Sequence, residues 1–212
     1  MFGPINVQHA IEIIIILLIS IDFHELAHAM VADRLHDPTP RRMGELSLNP
    51  FVHMDQIGVM LLLLTSISPL GFTYGRTHVT PANLKFGPQR GNALVAVAGP
   101  LTNLLLAVII AIPLRLYLAG TITLSGNVGD FLFLALELNL LLFVLNLLPI
   151  PPLDGFSVLG GFLSARQMYS LAPIQQWGPV ILLLLFVLNP YVPILGDIIS
   201  PAMNAIAQVL IT

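Results

Sequence analysis

No cysteine occurs in the 212 residues. That excludes disulfides and thiolate metal sites together, and leaves His, Asp, Glu and backbone oxygens as the available metal ligands. Charge is nearly as scarce: Asp, Glu, Lys and Arg make up 9% of the chain, where soluble domains carry roughly 25%. Eight Lys plus Arg against eleven Asp plus Glu, a formal net charge of −3, exclude the basic face that nucleic-acid binding requires. The start, Met1-Phe2-Gly3-Pro4, has no basic residue, and no small-residue cleavage site follows the first apolar run. That run is therefore expected to be an uncleaved spanning helix and not a signal peptide. No polar stretch approaches the ~50 residues that a separate soluble domain needs. Residues 1–212 are thus expected to form one integral membrane domain, with its functional core at about 7–160.

What the chain has instead is apolar sequence, 56% of its residues, with a mean hydropathy of +0.90. The expected fold class is an all-α polytopic membrane protein of about five to six transmembrane helices. The spans are predicted at about 7–35, 94–118, 131–148 and 173–188. Residues 191–212, divided by Pro193 and Pro201, are either a last span or an interfacial helix. The apolar run 57–70 contains Ser66, Ser68 and Pro69 and is short for a span, which suits a re-entrant segment. Residues 43–48 and 77–80 carry weak strand-like alternation and are predicted to form a small β element.

Basic residues fall in two clusters, Arg34, Arg41 and Arg42 after the first helix and Arg76, Lys85 and Arg90 before the 94–118 span. The positive-inside rule places both in the cytoplasm and the N-terminus outside, provided that 57–70 dips in and returns.

Within the first apolar helix lies His24-Glu25-Leu26-Ala27-His28. On a helix the two imidazoles are about 40° apart on one face. That geometry suits two nitrogen ligands of one Zn²⁺, with the intervening Glu placed to take a proton from water. Ionisable groups at membrane depth cost roughly 2.5–3.5 kcal/mol each or more, and usually mark function. A zinc hydrolase wants a third protein ligand, and the candidates are Asp22, His53, His78, Glu137, Asp154 and Asp197. Asp22 lies on a different part of the helix surface, and Glu137 lies early in its span, near the outer face. Asp154 follows the Pro-broken helix end Pro149-Ile150-Pro151-Pro152. The spans 94–118 and 131–148 return the chain to the side of His28, so Asp154 is the chosen third ligand. His53 and His78 read as polar-loop residues. Asn103 and Asn146 are candidates to donate an amide N–H to an oxyanion or to hold a substrate carbonyl, and equally to bond between helices.

His24-Glu25-Leu26-Ala27-His28, Leu48-Asn49-Pro50 with His53 and Asp55, Ala98-Gly99-Pro100-Leu101-Thr102-Asn103, and Asn146-Leu147-Leu148-Pro149-Ile150-Pro151-Pro152-Leu153-Asp154-Gly155 occur in that order. Together they resemble the site-2 protease family of intramembrane zinc metalloproteases, in its compact form without a PDZ or CBS domain. The resemblance implies one Zn²⁺ per chain held by His24, His28 and Asp154, with Glu25 as the catalytic glutamate acting on water polarised by the zinc. It also implies a three-helix catalytic core, transmembrane proteins or peptides as substrates, and an active site towards the cytoplasmic side. The expected location is a prokaryotic cell membrane, crossed several times. Residues 71–85 depart from the Trp-containing, more Pro-rich stretch of many relatives. Two other functions compete: a zinc-binding membrane regulator without activity, and a metal or proton transporter. Transport would need polar residues through the whole thickness, and here they cluster on one side.

Overall fold

The computed structural model describes residues 7–54, 56–67, 75–188 and 194–212. The described residues form helices, turns and irregular segments, and none of them is in a strand. The order is α1 (Val7–Arg34), the one-turn helices α2 (Thr39–Met43) and α3 (Pro50–His53), α4 (Gln56–Ile67), and a 3-10 turn at Pro81–Asn83. Then come α5 (Pro88–Leu118), α6 (Gly126–Asn146), the short α7 (Asp154–Gly160) and α8 (Ala165–Ser170), α9 (Ala172–Leu188) and α10 (Ile194–Ile211).

α5 is the central element and packs against α1, α6, α7 and α10. Its buried face is built from small residues, Gly91, Ala96, Gly99, Ala107 and Ala111. Without side chains to keep them apart, helix backbones approach closely, which is how apolar helices gain packing where burial from water drives little. Ala107, Ala111 and Leu114 of α5 join Leu136 and Leu140 of α6 in one core, closed by Ile206 and Leu210 of α10. Leu17 and Ile21 of α1 meet Met54, Leu62 of α4 and Leu142 of α6 in a second.

The outward surface is apolar as well. On α1, Ile11, Ile15, Ile19 and Phe23 recur every fourth residue and are all exposed. Leu101, Leu105, Ile109 and Ile112, three to four residues apart, are likewise exposed on α5. α5 and α6 are long and apolar enough to cross a bilayer; α9 and residues 195–211 are apolar and shorter. The predicted first helix and the spans 94–118, 131–148 and 173–188 correspond to α1, α5, α6 and α9, with α5 beginning six residues early, at Pro88.

Residues 68–70 of the predicted re-entrant segment lie outside the described residues. Its beginning is α4, and the Arg76 N–H bonds the His53 carbonyl, just before α4, at 2.8 Å.

The predicted strands are absent, for a physical reason. In 77–80 the backbone N–H groups that a strand partner would bind are taken by carboxylates: His78 N–H by Glu45 Oε2 at 2.9 Å, Thr80 N–H by Asp37 Oδ2 at 2.6 Å. Residues 43–48 turn away through Gly44, whose φ of 76° closes α2.

Asp37 is placed by the way α1 ends. His36 takes a φ of 74°, and the N–H groups of His36 and Asp37 return to the carbonyls of Asp33 and Ala32 at 3.1 and 3.0 Å, a Schellman closure followed by Pro38. The fully buried carboxylate then accepts from Thr39 N–H and hydroxyl at 3.1 and 2.6 Å, Thr80 N–H, and Asn83 Nδ2 at 3.1 Å. Burial pushes this carboxyl up, but the donors from Thr39, Thr80 and Asn83 outweigh it and hold it below its ordinary 3.8. A depressed carboxyl stabilises the fold above the unfolded value and ceases to do so as pH falls through the folded one. Asp37→Asn should lower the melting temperature of the detergent-solubilised protein at pH 7, by the equivalent of about 2 kcal/mol. The difference from wild type should shrink as pH is taken below 3.8.

Candidate metal centre

α1 buries one face at Leu17, Ser20, Ile21, His24, Glu25 and His28, the three-to-four spacing of a helix packed along its length. His24 and His28 fall one turn apart, their rings edge to face with centroids 4.6 Å apart. At the end of α6 the chain folds back through residues 147–153 so that Asp154 opens α7. Gly155 makes this return possible, because a Cβ there would overlap the Leu147 carbonyl.

Asp154 Oδ2 then lies 3.1 Å from His24 Nε2 and 3.3 Å from His28 Nε2. Donors about 2.0–2.1 Å from a tetrahedral ion stand roughly 3.3 Å from one another, so these separations match a zinc site. All three ligand atoms lie within 4.8 Å of one another. The other ring nitrogens are occupied as a metal site requires. His24 Nδ1 is 2.6 Å from Asn103 Oδ1, and His28 Nδ1 is 2.8 Å from the Val95 carbonyl. Both partners accept, so each Nδ1 carries the proton and donates it, leaving the Nε2 lone pairs turned to Asp154. Gly99 of α5 completes the cradle: a Cβ there would overlap Nε2 of both histidines.

The group opens on a cavity of about 630 Å³ whose wall also includes Glu25, Thr77, Asn92 and Asn146 among apolar side chains such as Ile21, Val95 and Leu142. Glu25 is buried at 6% exposure, and the Thr77 hydroxyl lies 2.8 Å from its Oε2.

The chosen ligands His24, His28 and Asp154 therefore meet, with Glu25 on the same cavity. The rejected candidates are elsewhere. Asp22 lies 3.8 Å from His53, His78 pairs with Glu45, and Glu137 and Asp197 are exposed. His53 differs from its reading as a loop residue, since it is 1% exposed within α3.

The two asparagines part company. Asn146 lines the cavity and donates Nδ2 to the Leu142 carbonyl at 2.9 Å. Asn103 is not placed to hold substrate: it is fully buried, with its oxygen on His24 and its Nδ2 3.3 Å from both the Ser20 carbonyl and Asn139 Oδ1. Asn139 in turn donates to the Ala135 carbonyl at 2.9 Å, so a chain of amides from α6 through α5 orients the first imidazole. In the sequence Asn139 is a polar residue inside the predicted span 131–148, with no motif of its own. Thr77 carried no signal beyond its weak strand pattern.

No protein-family model matches the chain, and no solved structure matches it. Curated relatives do. A Bacillus subtilis protein named as the zinc metalloprotease YwhC is 33% identical over 199 residues, covering 91% of this chain and 86% of that protein. A Mycolicibacterium smegmatis protein named as the zinc metalloprotease Rip2 is 36% identical over 175 residues, 80% of this chain. A Methanocaldococcus jannaschii protein named as the zinc metalloprotease MJ0611 is 33% identical over 141 residues, 65% of this chain. The matches span 64% of Rip2 and 63% of MJ0611, a little under two thirds of each.

Removing the amide that orients His24 tests the construction of the centre. Asn103→Ala should weaken zinc binding roughly 10–100-fold in a chelator-competition titration, while Asn146→Ala leaves it unchanged.

Proposed function

Because the chain belongs to the site-2 protease family of zinc metalloproteases, we propose that it hydrolyses peptide bonds in or near the transmembrane segments of other membrane proteins, with Glu25 as general base. The observation that carries this reading is the grouping of His24, His28 and Asp154 beside Glu25 in a molecule whose helices α1, α5 and α9 each expose several large apolar side chains. An exposed apolar area of that extent needs lipid or protein against it. The substrates that reach such a site from the side are themselves membrane segments.

When bound, zinc supplies the Lewis acidity that makes water a nucleophile at neutral pH. His24, His28 and Asp154 would hold it, and Asn103 and the Val95 carbonyl keep both imidazoles in the tautomer that leaves Nε2 free. Glu25 takes the proton from the attacking water and passes it to the leaving amine nitrogen. The apolar side chains of Ile21, Val95 and Leu142 on the cavity wall lower the polarity around these groups, which strengthens their interactions. Asn146, on the same wall, holds a substrate carbonyl.

In this reading α1, α5 and α6 form the catalytic core and the site faces the cytoplasm. Support comes from where the basic clusters meet. Lys85 N–H donates to the Leu35 carbonyl at 2.8 Å, and Arg41 forms a two-pronged pair with Asp33 at 2.6 and 2.8 Å, so both clusters lie at one end of α1. The return of the chain at Arg76 to His53 supports a segment that enters and leaves on that same side.

A helical substrate shields its peptide bonds and must unwind before attack. Residues 77–80 offer an edge for the unwound chain. Thr77 and Val79 line the cavity, while the N–H groups of His78 and Thr80 are held from the other side, the alternation of an extended segment.

Glu25→Gln should retain stoichiometric zinc and lose cleavage of a transmembrane reporter in proteoliposomes by roughly 10²–10⁴-fold. Vesicle flux of Zn²⁺ that survived the substitution would instead point to transport. Val79→Pro should lower cleavage with zinc content unchanged; activity equal to wild type would remove the docking edge from the scheme.

A further inference from the structure

Two residues, Gly75 and Thr77, press on the Glu25 side chain in ways that the metal centre does not require. Gly75 lies so close that a Cβ there would overlap Glu25 Cγ and Oε1, and Ile21 as well. Two residues on, Thr77 Oγ1 stands 2.8 Å from Glu25 Oε2 and 3.0 Å from the Glu25 carbonyl oxygen. A hydroxyl has one proton to give and both of these atoms accept, and the ionised carboxylate is the stronger acceptor.

The segment that delivers Thr77 is tied down independently of Thr77. On one side Arg76 N–H bonds the His53 carbonyl at 2.8 Å. On the other, Glu45, 2% exposed, accepts from His78 N–H and pairs with the His78 ring. Thr80 N–H is held by Asp37, and its hydroxyl lies 2.9 Å from that of Thr39. Two buried carboxylates and a carbonyl thus fix the strap from 76 to 80. The Thr77 hydroxyl is not needed to keep it in place.

We propose that Thr77 is a positioning residue for peptide hydrolysis: its hydroxyl holds the Glu25 carboxylate in one orientation against the cavity before substrate arrives. The proposal rests on the reading of Glu25 as the base. A carboxylate in an apolar wall with no donor would turn among several rotamers, and a proton acceptor out of place by an ångström costs rate without changing substrate binding.

The test compares wild type, Thr77→Val, Thr77→Ser and Glu25→Gln as full-length, zinc-loaded protein in proteoliposomes, with kcat and KM for a transmembrane reporter. Zinc content is measured in parallel, together with the rate of tryptic nicking after the exposed Arg76 in the zinc-free protein. Thr77→Val, which keeps shape and loses the donor, should lower kcat roughly tenfold with KM within about twofold. Zinc content and nicking should match wild type, and Thr77→Ser should restore kcat. Wild-type kcat in Thr77→Val overturns the proposal. So does a loss of rate that tracks faster nicking or lost zinc, because the hydroxyl would then merely brace the strap. If Glu25→Gln cleaves as wild type does, the reading of Glu25 falls. If Glu25→Gln is inactive while Thr77→Val is not impaired, only the role of Thr77 falls.

Discussion

Between Gly99 of α5 and the imidazoles of His24 and His28 there is no room for a methyl group, and the rest of the site follows from that close approach. It brings the Val95 carbonyl within 2.8 Å of His28 and the Asn103 amide within 2.6 Å of His24. Each ring is thereby held in one tautomer, facing the point where Asp154 arrives. Pro100, next to Gly99, lacks an N–H and interrupts the α5 ladder beside this contact. Small residues along the α5 face then let α6 pack on the other side, where Asn139 supports Asn103.

Burying this many polar groups among apolar helices is costly unless each is paired, and the chain pairs them in two layers. Around the metal group the partners are amides and a backbone carbonyl. Around the strap they are carboxylates. Glu45 and Asp37, both almost fully buried, bind backbone N–H groups that a sheet would otherwise satisfy, so an extended segment stays in place without a neighbouring strand. Asp22 and His53 are the exception among the described residues. They face one another at 3.8 Å, and Asp22 Oδ1 and His53 Nδ1 are buried with no hydrogen-bond partner.

Much of the molecule was legible in the order of its residues. The apolar runs announced α1, α5, α6 and α9, since a helix that meets lipid on one side and protein on the other is apolar throughout. His24, Glu25 and His28 were legible for a local reason: four residues on a helix place two side chains on one face whatever surrounds them. Asp154 was reached by following the chain back to the side of His28. The strand at 77–80 was misread because alternation reports an extended backbone and not what pairs with it; here the partners are the side chains of Glu45 and Asp37, while 43–48 turns at Gly44 and is not extended. Asn103 looked the same in sequence whether it faced a substrate or a neighbouring helix.

What the sequence alone determined, then, was the local chemistry: no thiol, two imidazoles at ligand spacing with a glutamate beside the first, and an apolar chain around them. Tertiary structure decided which groups orient that chemistry. Asn103 lies 79 residues from His24, Thr77 52 residues from Glu25, and Asp154 130 residues from His24. Helical periodicity relates residues within a few turns of one another. At those separations only the packing of α1, α5 and the strap brings the atoms to within hydrogen-bond reach.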